Sequence, residues 1–333
     1  LSLAFAVRSA EAVISFQAGT PIDLSSAPGD GIQAIAVANL NANLNASLKR
    51  NPSTIANLLI VVQTNRGDIS VFLNDGSGNF SPHTTLSSDL SPIAVTTGNF
   101  NNDSNVDMAV LNDDDTVTTY LGDGTGNFTQ YGNYDACGPD SNAAGVVAAN
   151  FDGIEHAFDD LAVLCDSTVY LLKGVGDGTF STFSTSSVST GRSTSGGFAI
   201  AAGRINTAHN YVDLAISSAG STSVSVLFGN NDGTFQSPFV IQSGLTADVQ
   251  GLAIGDFNGD AIPDIAVISG PADEPTVVIL SGNGSGGFTA NNTASQSTLE
   301  QGAVAIEPVD LDHDGLMDLV AGSTDPDHGM IQL

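Results

Sequence analysis

Basic side chains are scarce in this chain: seven Lys and Arg stand against 36 Asp and Glu, for a formal charge of −29. Such a surface repels nucleic acid and anionic membrane, both of which are held through Lys and Arg. Tryptophan is absent and tyrosine numbers five, so aromatic platforms for stacking sugars are few. Two cysteines, Cys137 and Cys165, do not make a disulfide framework. No His lies at ligand spacing from either, which argues against zinc. The pair leaves two readings, one disulfide or two buried thiols. No apolar run reaches the ~18–20 residues of a membrane-spanning helix, and no stretch sustains a helical period. The histidines at 83, 156, 209, 313 and 328 are scattered. They form no Ser/His/Asp or Cys/His arrangement, so no enzyme is expected.

What the chain has in abundance is aspartate, at a fixed spacing. GDFNGDAIPDIAV places Asp256, Asn258, Asp260 and Asp264 just before an apolar run, and VDLDHDGLMDLVAG repeats it with Asp310, Asp312, Asp314 and Asp318. GNFNNDSNVDMAVL supplies Asn99, Asn101, Asp103 and Asp107. ANFDGIEHAFDDLAVL keeps Asn150, Asp152 and Asp160 around two inserted residues. Two further units depart from the pattern. One has Arg204 first, then Asn206 and Asp213; the other has only the amides Asn39, Asn41 and Asn57. Aligned on Leu40, Phe100, Phe151, Ile205, Phe257 and Leu311, the units recur at 60, 51, 54, 52 and 54 residues. An internal repeat of this length governs the fold. Carboxylates packed this closely repel unless water or a hard cation neutralises them, and hard cations take several oxygens. In the unit with Arg204, the guanidinium is itself the expected neutralising partner of Asp213.

About twenty residues after each acidic loop comes a Gly-rich turn closed by Phe: NDGSGNF at 74–80, GDGTGNF at 122–128, GDGTF at 176–180, NDGTF at 231–235 and GNGSGGF at 282–288. Phosphate binding would need a following helix, and usually a Lys. Asp-Gly and Asn-Gly are hairpin formers instead, with the Phe expected to plug the core of its own repeat. Each unit therefore reads as four short Val/Ile/Ala-rich strands. Four-stranded units at this period mean an all-β fold, a β-propeller of antiparallel blades. Six blades are expected, seven being the alternative count. Residues 12–26 are expected to close the ring as the outer strand of the blade built from 301–333, whose third strand would be GMIQL. The propeller then spans 12–333, preceded by an apolar extension at 1–11. LSLAFAV followed by Ala10-Glu11-Ala12 fits the tail of a secretory signal; a surplus strand able to join a neighbouring subunit is the other reading.

The acidic loop and the G-D-G-x-F turn together resemble the FG-GAP or VCBS repeat of integrin α-subunit-like propellers, over roughly residues 30 to 333. That resemblance implies structural calcium in the loop joining the first two strands of a blade. Asp256, Asn258, Asp260, Asp264, Asp310, Asp312, Asp314 and Asp318 match it best. Asn99, Asn101, Asp103 and Asp107 come next, and Asn150, Asp152 and Asp160 match least. The loops at Arg204 and at 39–57 are expected to hold no metal. Sequons at Asn45, Asn79, Asn102, Asn127, Asn283 and Asn291 permit glycosylation. The combined expectation is a secreted, calcium-stabilised, non-catalytic propeller at or beyond the cell surface. Its role would be adhesion or extracellular assembly, including filaments formed by strand addition at the N-terminal seam. A carbohydrate-binding lectin and an accessory domain of an extracellular enzyme are the alternatives. Its partners would be an extracellular protein, a glycan, or further copies of itself.

Overall fold

The computed structural model describes the chain apart from residues 1–3, 7–14, 18–31, 40–56, 64–66, 75–79, 89, 104, 140, 154–157, 188–196, 219–220, 242–244, 246, 272, 291–296, 300, 311–316 and 325–333. Every described element is a strand, and no helix among the described residues is long and apolar enough to cross a membrane. Short strands β1 (Ala4–Ala6) and β2 (Ser15–Gln17) come first. Blade I follows with β3 (Ile32–Asn39), β4 (Asn57–Gln63), β5 (Asp68–Asn74) and β6 (Phe80–Ser87). Blade II has β7 (Pro92–Gly98), β8 (Asp107–Asn112), β9 (Thr116–Gly122) and β10 (Phe128–Asp135). Blade III has β11 (Ala143–Ala149), β12 (Asp160–Cys165), β13 (Thr168–Gly174) and β14 (Phe180–Ser187). Blade IV has β15 (Gly197–Gly203), β16 (Asp213–Ser218), β17 (Val224–Leu227) and β18 (Phe239–Ile241). Blade V has β19 (Val249–Gly255), β20 (Asp264–Ser269), β21 (Thr276–Gly282) and β22 (Phe288–Ala290), with β23 (Ser297–Thr298) added beside β21. A last sheet pairs β24 (Ala303–Val309) with β25 (Asp318–Ser323).

The burial of each strand follows its rank in the blade. Second strands such as DMAVLN, DLAVLC and DIAVIS are buried along their whole length, because neighbouring blades cover both faces. They therefore read as continuous apolar runs without alternation. Fourth strands such as FTQYGNYD are polar and mostly exposed after the first residue, as suits an outer edge. First strands surround a central cavity, which draws lining residues from β3, β7, β11, β15, β19 and β24.

The apolar core lies between sheets rather than within them. Phe100, Leu111, Leu161 and Val163 join blade II to blade III. Ile268, Ile279, Ile306 and Leu319 join blade V to the β24–β25 sheet, and Ile35, Val61 and Val320 join that sheet to blade I. A bond between Cys137 and Cys165, with Cα atoms 5.9 Å apart, ties the end of blade II to β12 of blade III.

Two expectations about the ring change. Five blades are described, four of four strands and blade V of five, in place of the six or seven expected, and the sheet between blades V and I has two described strands. Its acidic loop at 311–316 and the segment GMIQL lie outside the described residues. Closure by a strand within 12–26 is not seen among the described pairings. Ser15–Gln17 pairs with Ala4–Ala6, and β1, not β2, lies beside β25. Ala4–Ala6 is thus the described N-terminal strand that lies beside that sheet.

Candidate metal-binding loops

Each acidic loop joins the first strand of a blade to the second, and its last aspartate opens the second strand. Those aspartates are buried: Asp107, Asp213 and Asp264 are 0 % exposed and Asp160 4 %. Both oxygens of each accept backbone N–H groups from two separate places. Asp107 takes Phe100 N–H at 2.7 Å and Gly122 N–H at 3.0 Å. Asp160 takes Phe151 N–H at 3.0 Å and Gly174 N–H at 2.9 Å. Asp213 takes Asn206 and Gly229, each at 2.9 Å, and Asp264 takes Phe257 at 3.2 Å and Gly282 at 2.9 Å. The ninth residue of the motif therefore staples the loop to the end of the third strand. Sequence reading had it only as a metal ligand.

The glycine receiving this bond has no room for a side chain. A Cβ on Gly122, Gly174, Gly229 or Gly282 would lie 2.0–2.4 Å from a carbonyl oxygen of the strand-opening segment. The Gly-rich turn that follows has a second task. Gly178 N–H donates to Phe100 O and Gly233 N–H to Phe151 O, each at 3.0 Å, clasping one blade's turn to the preceding blade's loop. The ring contacts follow the same path. Phe100 meets Phe180 edge-on at 5.1 Å, and Phe151 meets Phe235 at 5.8 Å. The turn Phe is thus a plug between blades, not within its own repeat.

The first, third and fifth loop positions behave differently from blade to blade. In blade V, Asp256 Oδ1 accepts Gly259 N–H at 2.7 Å and Oδ2 accepts Ala261 N–H at 2.7 Å. Asn258 Oδ1 accepts Asp260 N–H, and Asp260 Oδ1 accepts Ile262 N–H. These nested turns gather three carboxylates and an amide on one short loop. Burial first, then the charges of Asp260 and Asp256, push the Asp264 carboxyl up to about 7. In blade II the amides of Asn101 and Asn105 both donate to Asp103 Oδ2, at 2.9 and 3.1 Å. That loop softens its own charge. In blade III, Lys173 from β13 pairs directly with Asp152, whose side chain is only 8 % exposed. This internal cation carries no signal in the motif.

Blade IV corrects the expectation for Arg204. Arg204 is exposed, while the Asp213 carboxylate is met by backbone N–H groups, with burial holding its pKa above the ordinary value. Of the last unit, Asp310 and Asp318 are described and Asp318 is buried; Asp312 and Asp314 lie outside the described residues, as does Asn41.

The donor chemistry of blade V fits calcium. It is all hard oxygen, on a loop whose carboxylates repel one another. Among the described residues no three His, Cys, Asp or Glu side chains are already gathered as they would be around an ion, so the oxygens would have to turn inward on binding.

Repeated four-stranded antiparallel blades, with acidic loops between first and second strands, define a β-propeller by architecture. A model of the FG-GAP-like repeat matches residues 209–267 and 263–321, so this part of the chain carries FG-GAP-like repeats, consistent with an FG-GAP β-propeller family. The matched span runs from blade IV through blade V into the β24–β25 sheet, where the acidic motif is fullest. Among solved structures, the chain resembles BBS1N in a crystal structure of its complex with ARL6DN soaked with lead. Identity there is 12%, coverage is 88% of this chain and 76% of that one, and the TM-score is 0.53. A mercury-soaked crystal of the same complex gives 12%, 89%, 77% and 0.50. At this identity the likeness speaks to fold alone. No curated protein sequence matches the chain.

Proposed function

We propose that this chain is a calcium-stabilised, non-catalytic interaction propeller working outside the cell, in adhesion or extracellular assembly. The observation that carries the calcium reading is the blade V loop. Burial, and then the charges of Asp260 and Asp256, raise the Asp264 carboxyl, and no ion pair with a basic side chain relieves these acids among the described residues. A divalent cation would supply the missing charge to all three at once. Asp256, Asn258 and Asp260 would hold it, with Asp264 shared between the ion and the staple. The loop of Asn99, Asn101, Asp103 and Asp107 is a weaker candidate, as its amides already meet Asp103.

The extracellular reading is supported by the Cys137–Cys165 bond, since disulfides persist in oxidising compartments, and by the strongly acidic surface. The interaction reading is supported by the architecture, a rigid ring with polar outer strands and loops free to vary. It is supported also by a propeller of like fold, BBS1N, being found in complex with ARL6DN. Carboxylates here recur with the blades, whereas glycosidic catalysis needs one unique pair. The partner would be an extracellular protein, or a second copy joined at the β1–β25 seam.

Terbium luminescence and elemental analysis of calcium-equilibrated protein test the metal. Binding at the blade V loop that disappears in Asp256→Ala is the expected result. A protein that carries no divalent ion when calcium is plentiful overturns the calcium reading. For the seam, removal of residues 1–11 is expected to abolish any higher assembly seen by electron microscopy. Unchanged assembly removes the seam as a joint.

A further inference from the structure

The first strands enclose a cavity of about 440 Å³ on the axis, and a smaller one of about 210 Å³ adjoins it. One branched aliphatic residue per strand lines the larger cavity, Ile35, Val95, Val146, Ile200, Leu252 and Ile306, all buried, and Val146, Ile200 and Leu252 line the smaller one as well. The next residue along each strand is Ala36, Thr96, Val147, Ala201, Ala253 and Glu307. Five are small or neutral, and one is a carboxylic acid. Thr96 uses its hydroxyl, accepting Ala148 N–H at 3.1 Å across to the next blade. Glu307 lines both cavities, and its carboxyl has no hydrogen bond or ion pair with the described residues. A carboxyl without a hydrogen-bond or ion-pair partner against aliphatic side chains is costly to the fold unless something is bound there.

We propose that the axial cavity binds a small aliphatic amine, its ammonium on Glu307 and its hydrocarbon chain against the ring of Ile35, Val95, Val146, Ile200, Leu252 and Ile306. The volume lies within the range of small-molecule sites, roughly 300–1,000 Å³. The wall is largely aliphatic, with Gln33 and Gln250 among its polar groups and two acids, Glu307 and Asp248, a lining that suits an alkylammonium and repels an anion. The site is separate from the acidic loops and from any surface partner, so it stands or falls independently of the interaction reading.

The charged surroundings of Glu307 are sparse. Neither β3 nor β19 carries a charged residue; β20 and β25 carry only Asp264 and Asp318, at their loop ends. Asp248 lines the larger cavity. Burial alone pushes the Glu307 carboxyl up to about 8. The ammonium must therefore meet an acid that gives up its proton, and affinity should fall about tenfold per pH unit below that value.

Titration calorimetry of the full chain, calcium-equilibrated at pH 8.5, with hexylamine and with hexan-1-ol tests the proposal. One hexylamine per chain, bound at least tenfold more tightly than the alcohol, is expected. Glu307→Gln should bring the amine down to the alcohol's affinity, whereas non-specific attraction to the acidic surface would barely change with one charge removed. Equal affinities for amine and alcohol in the unaltered protein overturn the proposal, whether or not the variant folds. So does full hexylamine affinity in Glu307→Gln.

Discussion

The acidic loops of blades III and V share a staple and differ in how their charge is met. Asp160 and Asp264 each hold a Phe N–H and a Gly N–H with the same two oxygens. Around Asp160 the chain has placed Lys173 on Asp152. Around Asp264 it has placed two more carboxylates and no basic partner among the described residues. Fold and ion are thus separable. The aspartate at the motif's last position holds the blade through backbone N–H groups, and on the calcium reading proposed above the earlier positions would decide which cation neutralises the loop.

The largest effect should come from breaking the staple, and it should be equal in the two blades. Asp160→Ala leaves two buried backbone donors without acceptors and Asp264→Ala one buried and one half-buried donor, at about 1–3 kcal/mol per donor. A loss of about 3 kcal/mol or more is expected in urea denaturation for both variants. A much smaller loss at Asp264 would mean that its carboxylate serves metal before backbone.

Calcium removal should separate the blades. An ion bound only by the folded chain stabilises it by about 2.7 kcal/mol at a hundredfold excess over its dissociation constant. Excess EDTA should therefore lower the melting temperature of the unaltered protein, and Asp256→Ala should remove most of that response. An unchanged melting temperature with the ions shown to be gone would make blade V as self-sufficient as blade III.

Much of this was legible in sequence because it repeats. The acidic spacing, the Gly-Phe turns and the strand-length apolar runs specify antiparallel blades through local pattern alone. The second role of Asp264 was not, because its acceptor bond to Gly282 spans eighteen residues and a motif does not say which partner a carboxylate chooses. Phe180 packing on Phe100 is likewise a contact between repeats, while the repeat itself was read one unit at a time. Glu307 escaped notice for the opposite reason. It occurs once, inside a strand that otherwise matches its siblings. The blade count differs at the last unit, where the two described strands β24 and β25 pair with each other and no third strand joins them among the described pairings.

A smaller effect should appear with pH in the calcium-free protein. The Asp264 carboxyl is raised to about 7, against an ordinary value of 3.8, so the folded chain holds this proton more tightly than the unfolded chain. Stability from this group is therefore greatest in acid and declines as pH rises from about 4 to about 7. Burial raises Asp107, Asp160 and Asp213 in the same direction. Melts at pH 5 and 8 should differ by about 2 kcal/mol without calcium and by less with it, since the bound ion favours the charged form. An equal slope in both conditions would place the effect in the overall charge of the chain.

The subtlest test is to make blade III resemble blade V. Lys173→Met keeps much of the side chain's length and removes the cation from Asp152. The lysine is 35 % exposed, so water screens the pair and the direct loss is modest, about 1 kcal/mol. What matters is whether calcium restores it. Without Lys173, Asn150, Asp152 and Asp160 offer hard oxygens beside uncompensated charge, as Asp256, Asn258 and Asp264 do. The variant should then regain in millimolar calcium what it lost, where the unaltered blade III gains nothing. If Lys173→Met stays weakened in calcium, charge alone does not make the site. The two residues inserted between Asp152 and Asp160 would then be what bars the ion.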